Sequence, residues 1–197
     1  LVYAGQEVEI TETSASFYNQ RQKALVTLDK VLEQDETFGI GMNGEISAVT
    51  FGLYAQEDIT AADGSVIPAD GLLELVSVNE NGQAGCSTDL PFGLFYLQEL
   101  ATASHYLLNG ETFPFTFEYG GPSVAVVEIS ANDGEAVTNE LIRGEIHGLK
   151  TDENGTGLGG AVIGLFQSGE TEFTTENALA TATSAEDGSF SFAGVPY

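Results

Sequence analysis

Asparagine or aspartate followed by glycine recurs at Asn43-Gly44, Asp63-Gly64, Asn81-Gly82, Asn109-Gly110 and Asp133-Gly134. Such pairs tolerate the positive φ angles of tight turns and cut a chain into short segments. The intervening runs are apolar or alternating and rich in Val, Ile, Thr, Phe and Tyr, and none sustains a helical apolar period over several turns. An all-β chain follows, with strands expected near 24–33, 47–55, 72–78, 92–100, 112–119, 123–130 and 135–142. Strands of this number and length suit an immunoglobulin-like sandwich of two packed sheets. The acidic run Asp152-Glu153-Asn154-Gly155 lacks the spaced ligands of a calcium loop and reads as another hairpin turn.

The chain also repeats itself. Asn19 is followed eleven residues later by Lys30, and Asn139 eleven residues later by Lys150, so both pairs are offset by 120. Phe51-Gly52-Leu53-Tyr54 resembles Ile163-Gly164-Leu165-Phe166, and Leu90-Pro91-Phe92 resembles Val195-Pro196-Tyr197, at shorter offsets. The expected organisation is tandem β-sandwich modules: the terminal strand of a preceding module at 1–22, a complete module at 23–145, and the opening part of a following one at 146–197. With almost no linker between them, such modules stack end to end. The chain reads as a piece excised from a longer parent, without a leader or sorting tail of its own.

Thirty acidic residues against five basic ones leave a net charge of −25, which repels phosphate backbones and anionic lipid surfaces. Nucleic acid is therefore excluded as a partner, and no apolar run is long enough for membrane insertion. Cys86 is the only cysteine, so no intrachain disulfide can staple the fold. His105 and His147 sit in no recognisable triad or metal motif. Neither a metal nor another cofactor is implied, and turnover catalysis is disfavoured for want of an assembled site.

Strand alternation singles out three polar residues. Val26, Leu28, Lys30 and Leu32 share one phase; Phe95, Leu97 and Glu99 share another; Val137, Asn139 and Leu141 a third. Lys30, Glu99 and Asn139 should all point inward, and burial is tolerable only if they meet one another. Desolvation favours the neutral amine and the neutral acid. The Lys30 amine is then able to attack the Asn139 side-chain carbonyl carbon while Glu99 polarises the carbonyl oxygen and shuttles protons. Ammonia leaves, and an isopeptide bond joins the first strand to the last. Closing a loop of over a hundred residues would constrain the unfolded chain as a long-range disulfide does. Two blander readings fit the same phases: an ordinary Lys30–Glu99 ion pair, or a Lys30 that snorkels to the edge while Asn139 caps a backbone group.

Taken in order, several segments resemble the collagen-adhesin B-type domains (Cna_B or SpaA-like, with a prealbumin-like fold) of Gram-positive surface adhesins and pilins. They are Leu28-Asp29-Lys30-Val31, Phe51-Gly52-Leu53-Tyr54, Leu90-Pro91-Phe92-Gly93 leading into Phe95-Tyr96-Leu97-Gln98-Glu99, and Val137-Thr138-Asn139. Lys150 to Gly155, continuing through Leu158-Gly159-Gly160-Ala161, looks like the opening of another such domain. One departure is that Leu100 to Tyr106 lacks the Ala-Pro and Gly-Tyr pairs often found there and keeps only Tyr106. The resemblance implies a Lys30–Asn139 bond with Glu99 as catalytic acid, and a secreted protein anchored at the bacterial cell wall. It also implies that Asn19 and Lys150 are the unpaired bond-forming positions of the flanking modules.

The expected role is a stalk or backbone module of an adhesin or pilus whose partners are neighbouring modules of the same parent. A second reading is a module that binds host matrix protein or glycan through exposed tyrosines such as Tyr54 and Tyr106 and the loops at 56–71 and 101–111. A thioester at Cys86 finds no supporting local motif, and a small core or surface cysteine is the simpler reading.

Overall fold

The computed structural model describes residues 21–60 and 63–197. Asn19 and nearly all of the expected terminal strand at 1–22 lie outside the described residues. The strands are β1 (Lys23–Leu32), β2 (Thr50–Ala55), β3 (Ile59–Thr60), β4 (Val66–Ile67), β5 (Leu72–Ser77), β6 (Gln83–Gly85) and β7 (Gly93–Ala101). They continue with β8 (Thr112–Phe117), β9 (Val126–Ser130), β10 (Val137–Asn139), β11 (Arg143–Leu149), β12 (Val162–Leu165), β13 (Ala180–Thr183) and β14 (Ser189–Pro196). Helical structure among the described residues is confined to the short 3-10 turns Glu45–Ala48 and Ala131–Gly134, so the fold is the expected all-β sandwich.

One sheet runs β5-β2-β7-β8 and is antiparallel throughout. The other is built on β1, which pairs antiparallel with β6 on one edge and parallel with β9 and then β10 on the opposite edge. β1 and β10 therefore lie side by side, and the two sheets pack face to face. Their inner faces form one apolar cluster that includes Val26, Leu28, Phe51, Leu53, Phe95, Leu97, Phe115, Phe117 and Val137. Burial of each such Phe or Leu contributes about 1.5–3 kcal/mol relative to an exposed position. This cluster fixes the register, because a one-residue slip of β1 would turn Val26, Leu28 and Leu32 to solvent.

Several strand boundaries differ from expectation for local reasons. The strand expected from 47 begins at Thr50, because Gly44 (φ 82°) leads into the Glu45–Ala48 turn instead of closing a hairpin. The Glu45 carboxylate holds that turn by accepting from the Gly41 and Asn43 amides. The strand expected to reach 142 ends at Asn139, and the Leu141 amide then donates to Glu33 Oε2 at 2.7 Å. β3, β4 and β6 are too short to leave a periodic signal. At 152–155 the expected turn is present, with Asp152 Oδ1 accepting from the Asn154 and Thr156 amides at 2.9 Å each.

Beyond Asn139, β11 pairs with β14 and β12 with β13, both antiparallel. Phe51-Gly52-Leu53-Tyr54 and Ile163-Gly164-Leu165-Phe166 share one local contact. The Tyr54 ring lies across Gly52 and the Phe166 ring across Gly164, so a Cβ at either glycine would strike the aromatic ring two residues on.

Candidate crosslinking site

Three strands from two sheets bring Lys30, Glu99 and Asn139 to one point. Each occupies the inward phase of its strand, β1, β7 and β10 respectively, and each is only 2% exposed. The parallel register sets Lys30 beside Val137 and Leu32 beside Asn139, so the lysine side chain reaches along β10 to its last residue. Lys30 Nζ contacts Asn139 Oδ1 and donates to the Val137 and Val31 carbonyls at 3.1 and 3.2 Å. Glu99 Oε1 lies 3.7 Å from Nζ. Glu99 Oε2 accepts from Asn139 Nδ2 at 2.9 Å and from the Asn109 backbone amide at 2.6 Å.

The orientation of the Asn139 amide follows from the hydrogen bonds around it. Nδ2 donates to the Leu107 carbonyl at 2.8 Å as well as to Glu99. Since a carbonyl only accepts, a flipped amide would press two oxygens together there. The carbonyl side of Asn139 therefore faces the amine, and its nitrogen faces the acid. This departs from the expected polarisation of the carbonyl oxygen by Glu99, whose carboxyl meets the amide nitrogen instead.

Burial pushes the Lys30 amine down to about 8, with the charge of nearby Glu99 only partly offsetting the desolvation. Near neutral pH a useful fraction of the amine is uncharged and nucleophilic. Glu99 Oε1 is buried without a hydrogen-bond partner, a situation that costs about 1–3 kcal/mol if nothing uses the atom. It faces Lys30, while Oε2 faces the Asn139 amide nitrogen.

The sequence matches no protein-family model and no curated protein. Among solved structures it is similar to the Bacillus anthracis TIE protein, with a TM-score of 0.58 at 20% identity over 89% of this chain. The two share a fold. The chain spans 27% of the TIE protein it matches. Other similar structures are a C-terminal fragment of pilus adhesin SpaC from Lactobacillus rhamnosus GG (TM-score 0.48, 15% identity, 88% of this chain and 71% of that one) and a streptococcal ancillary pilin (TM-score 0.39, 20% identity, 91% and 52%).

The remaining candidates lie apart from this point. Lys150 is exposed, and its Nζ donates to the carbonyl of the adjacent Thr151 at 3.2 Å. Tyr106, expected at the surface, is 3% exposed, with its hydroxyl donating to the Glu33 carbonyl at 2.9 Å; its ring belongs to the buried apolar cluster. Tyr54 is half-buried and stacks on Tyr96 at 5.0 Å. Half-buried Cys86 has its thiol pushed up to about 12 by burial and by the nearby Glu74 carboxylate, which suppresses the thiolate a thioester would need. His147 pairs with Glu145 at 3.4 Å on the surface, and His105 contacts the Tyr197 carbonyl. No cluster of three or more metal-ligating side chains occurs among the described residues. The groups that sequence reasoning missed are the Asn109 amide and the Leu107 carbonyl. Both belong to the backbone, so no residue identity marks them.

Proposed function

We propose that the chain is a structural module of a Gram-positive cell-surface pilus or adhesin, stabilised by an autocatalytic amide bond between Lys30 and Asn139. The observation that carries this reading is the direct contact of a buried lysine amine, a buried carboxamide and a buried carboxyl. In the proposed reaction neutral Lys30 Nζ attacks Asn139 Cγ. Glu99 accepts a proton from Nζ and delivers one to Nδ2, the Cγ–Nδ2 bond breaks, and ammonia leaves as the new Cγ–Nζ amide forms. The reaction runs once per chain. The complete module comprises β1 to β10, and a following module opens at β11, slightly before the boundary drawn from the repeat. Gln22, whose side-chain amide donates to the Gly121 and Val124 carbonyls, closes the other end.

As part of a load-bearing stalk, the module would be anchored at the cell wall with neighbouring modules of its parent as its partners. A bond between adjacent parallel strands would carry tension from β1 into β10 without unfolding the sandwich core between them. Intact mass spectrometry of the folded protein tests this reading: wild type should be lighter than its sequence by one ammonia, and Lys30→Ala or Glu99→Ala should restore the full mass. An unmodified wild-type mass would overturn it.

A further inference from the structure

The loop between β7 and β8 supplies no side chain to the Lys30–Glu99–Asn139 cluster, yet it touches two of its members through the backbone. The Asn109 amide donates to Glu99 Oε2 at 2.6 Å, and two residues earlier the Leu107 carbonyl accepts from Asn139 Nδ2 at 2.8 Å. The loop is itself fastened on several sides. The Leu107 amide donates to the Glu140 carbonyl at 2.9 Å, just past the reactive asparagine, and the Tyr106 hydroxyl reaches the Glu33 carbonyl just past β1. Asn109 Oδ1 accepts from the Glu111 amide at 2.9 Å, which sets the turn that presents the Asn109 N–H.

Resting on the crosslinking reading above, we propose that this loop is the positioning element of the reaction. Its Asn109 N–H holds the Glu99 carboxyl and its Leu107 carbonyl holds the Asn139 amide, so that acid, leaving nitrogen and amine align only when the loop is seated. Without the Asn109 donor, Glu99 Oε2 would be buried with the Asn139 amide as its one remaining hydrogen-bond partner and would be free to rotate away from the leaving nitrogen. Without the Leu107 acceptor, the Asn139 amide would be free to flip and turn its nitrogen toward Lys30, where attack is unproductive. Preorganised backbone groups of this kind act without reorganising during the reaction. Asn109 is a positioning residue in this scheme, since only its backbone touches a group that moves protons.

The test is the rate of bond formation in freshly synthesised full-length chain, followed by pulse labelling and intact mass over a range of pH. Asn109→Ala keeps the N–H and loses the Oδ1 contact with the Glu111 amide, so it should slow bonding by about threefold. Asn109→Pro removes the N–H and should bond about tenfold or more slowly, because a hydrogen bond to an ionisable acid is lost. The pH dependence of the proline variant should also change shape, where a merely loosened loop would scale the rate equally at every pH. Melting of Asn109→Pro in a Glu99→Ala background, compared with Glu99→Ala alone, shows whether the fold is retained. If it is not, an ester variant with oxygen in place of the Asn109 N–H decides the matter alone. A donor-lacking chain that bonds at the wild-type rate with the wild-type pH profile overturns this inference while leaving the crosslink intact. A wild-type chain that never loses ammonia overturns the reading on which the inference rests.

Discussion

Lys30 and Lys150 stand on nearly the same scaffold with opposite surroundings. The Lys30 amide donates to the Gly82 carbonyl at 2.7 Å, and the Lys150 amide donates to the Gly188 carbonyl at 2.8 Å. Both glycines are left-handed, with φ of 79° and 84°, and both turns are closed by matching backbone bonds, Gly82 N to Asn79 O and Gly188 N to Ala185 O. The side chains diverge completely: Lys30 is buried against Glu99 and Asn139, while Lys150 is exposed and, among the described residues, donates to the carbonyl of its neighbour. The local hairpin therefore does not by itself bury a lysine. What differs is the strands that close over Lys30, β7 with its acid and β10 with its amide, both distant in sequence.

The largest expected effect tests that division. Glu99→Ala should leave Lys30 and Asn139 unlinked and release a loop spanning 109 residues, which by the chain-entropy argument costs about 4–5 kcal/mol. Lys150→Ala should change stability by no more than about 0.5 kcal/mol, as expected of an exposed side chain. Urea unfolding monitored by tyrosine fluorescence measures both. A loss at Lys150 comparable to that at Glu99 would show that the hairpin, and not its closure, carries the energetic weight.

Much of this arrangement was legible before any geometry, and the legible part has a common physical origin. Strand alternation alone placed Lys30, Glu99 and Asn139 on inward phases, because Val26, Leu28, Phe95, Leu97 and Val137 leave no choice of face. The turn glycines marked most strand ends, but Asn43-Gly44 misled, since a left-handed glycine starts a 3-10 turn as readily as it closes a hairpin. Tyr106 misled for a related reason: a tyrosine in a loop carries no periodicity, so nothing in the sequence reveals that its ring is buried with its hydroxyl on Glu33. The parallel pairing of β1 with β10 and the backbone groups of Leu107 and Asn109 were beyond reach. Strand order and main-chain hydrogen bonds are set by tertiary closure and leave no trace in residue identity.

The shared turn offers an intermediate test. At Gly82 and Gly188 alike, a Cβ would drive into the preceding lysine's carbonyl oxygen, and the positive φ is unfavourable for any other residue. Gly82→Ala and Gly188→Ala should each destabilise by about 1–3 kcal/mol. Only Gly82→Ala should also slow ammonia loss, because displacing the Lys30 backbone moves its amine relative to Asn139. Pulsed intact-mass kinetics on the two variants would show this asymmetry, and equal slowing by both would break the assignment of chemistry to Lys30 alone.

A further test concerns protonation and separates an amine that attacks from one that is merely buried. Burial lowers the Lys30 amine from its ordinary 10.5 to about 8, so lysine binds more protons in the unfolded chain than in the folded one between those values. An unlinked variant that retains the lysine, such as Asn139→Ala, should therefore gain stability as pH rises through that window and hold the gain above it. In wild type the same shift acts on rate. Below pH 8 the neutral fraction of Lys30, and with it bond formation, should fall about tenfold per pH unit, and it should level off above. A rate flat from pH 6 to 9, alongside an Asn139→Ala variant whose stability still rises with pH, would mean that Lys30 is buried as described but that amine attack does not limit the reaction.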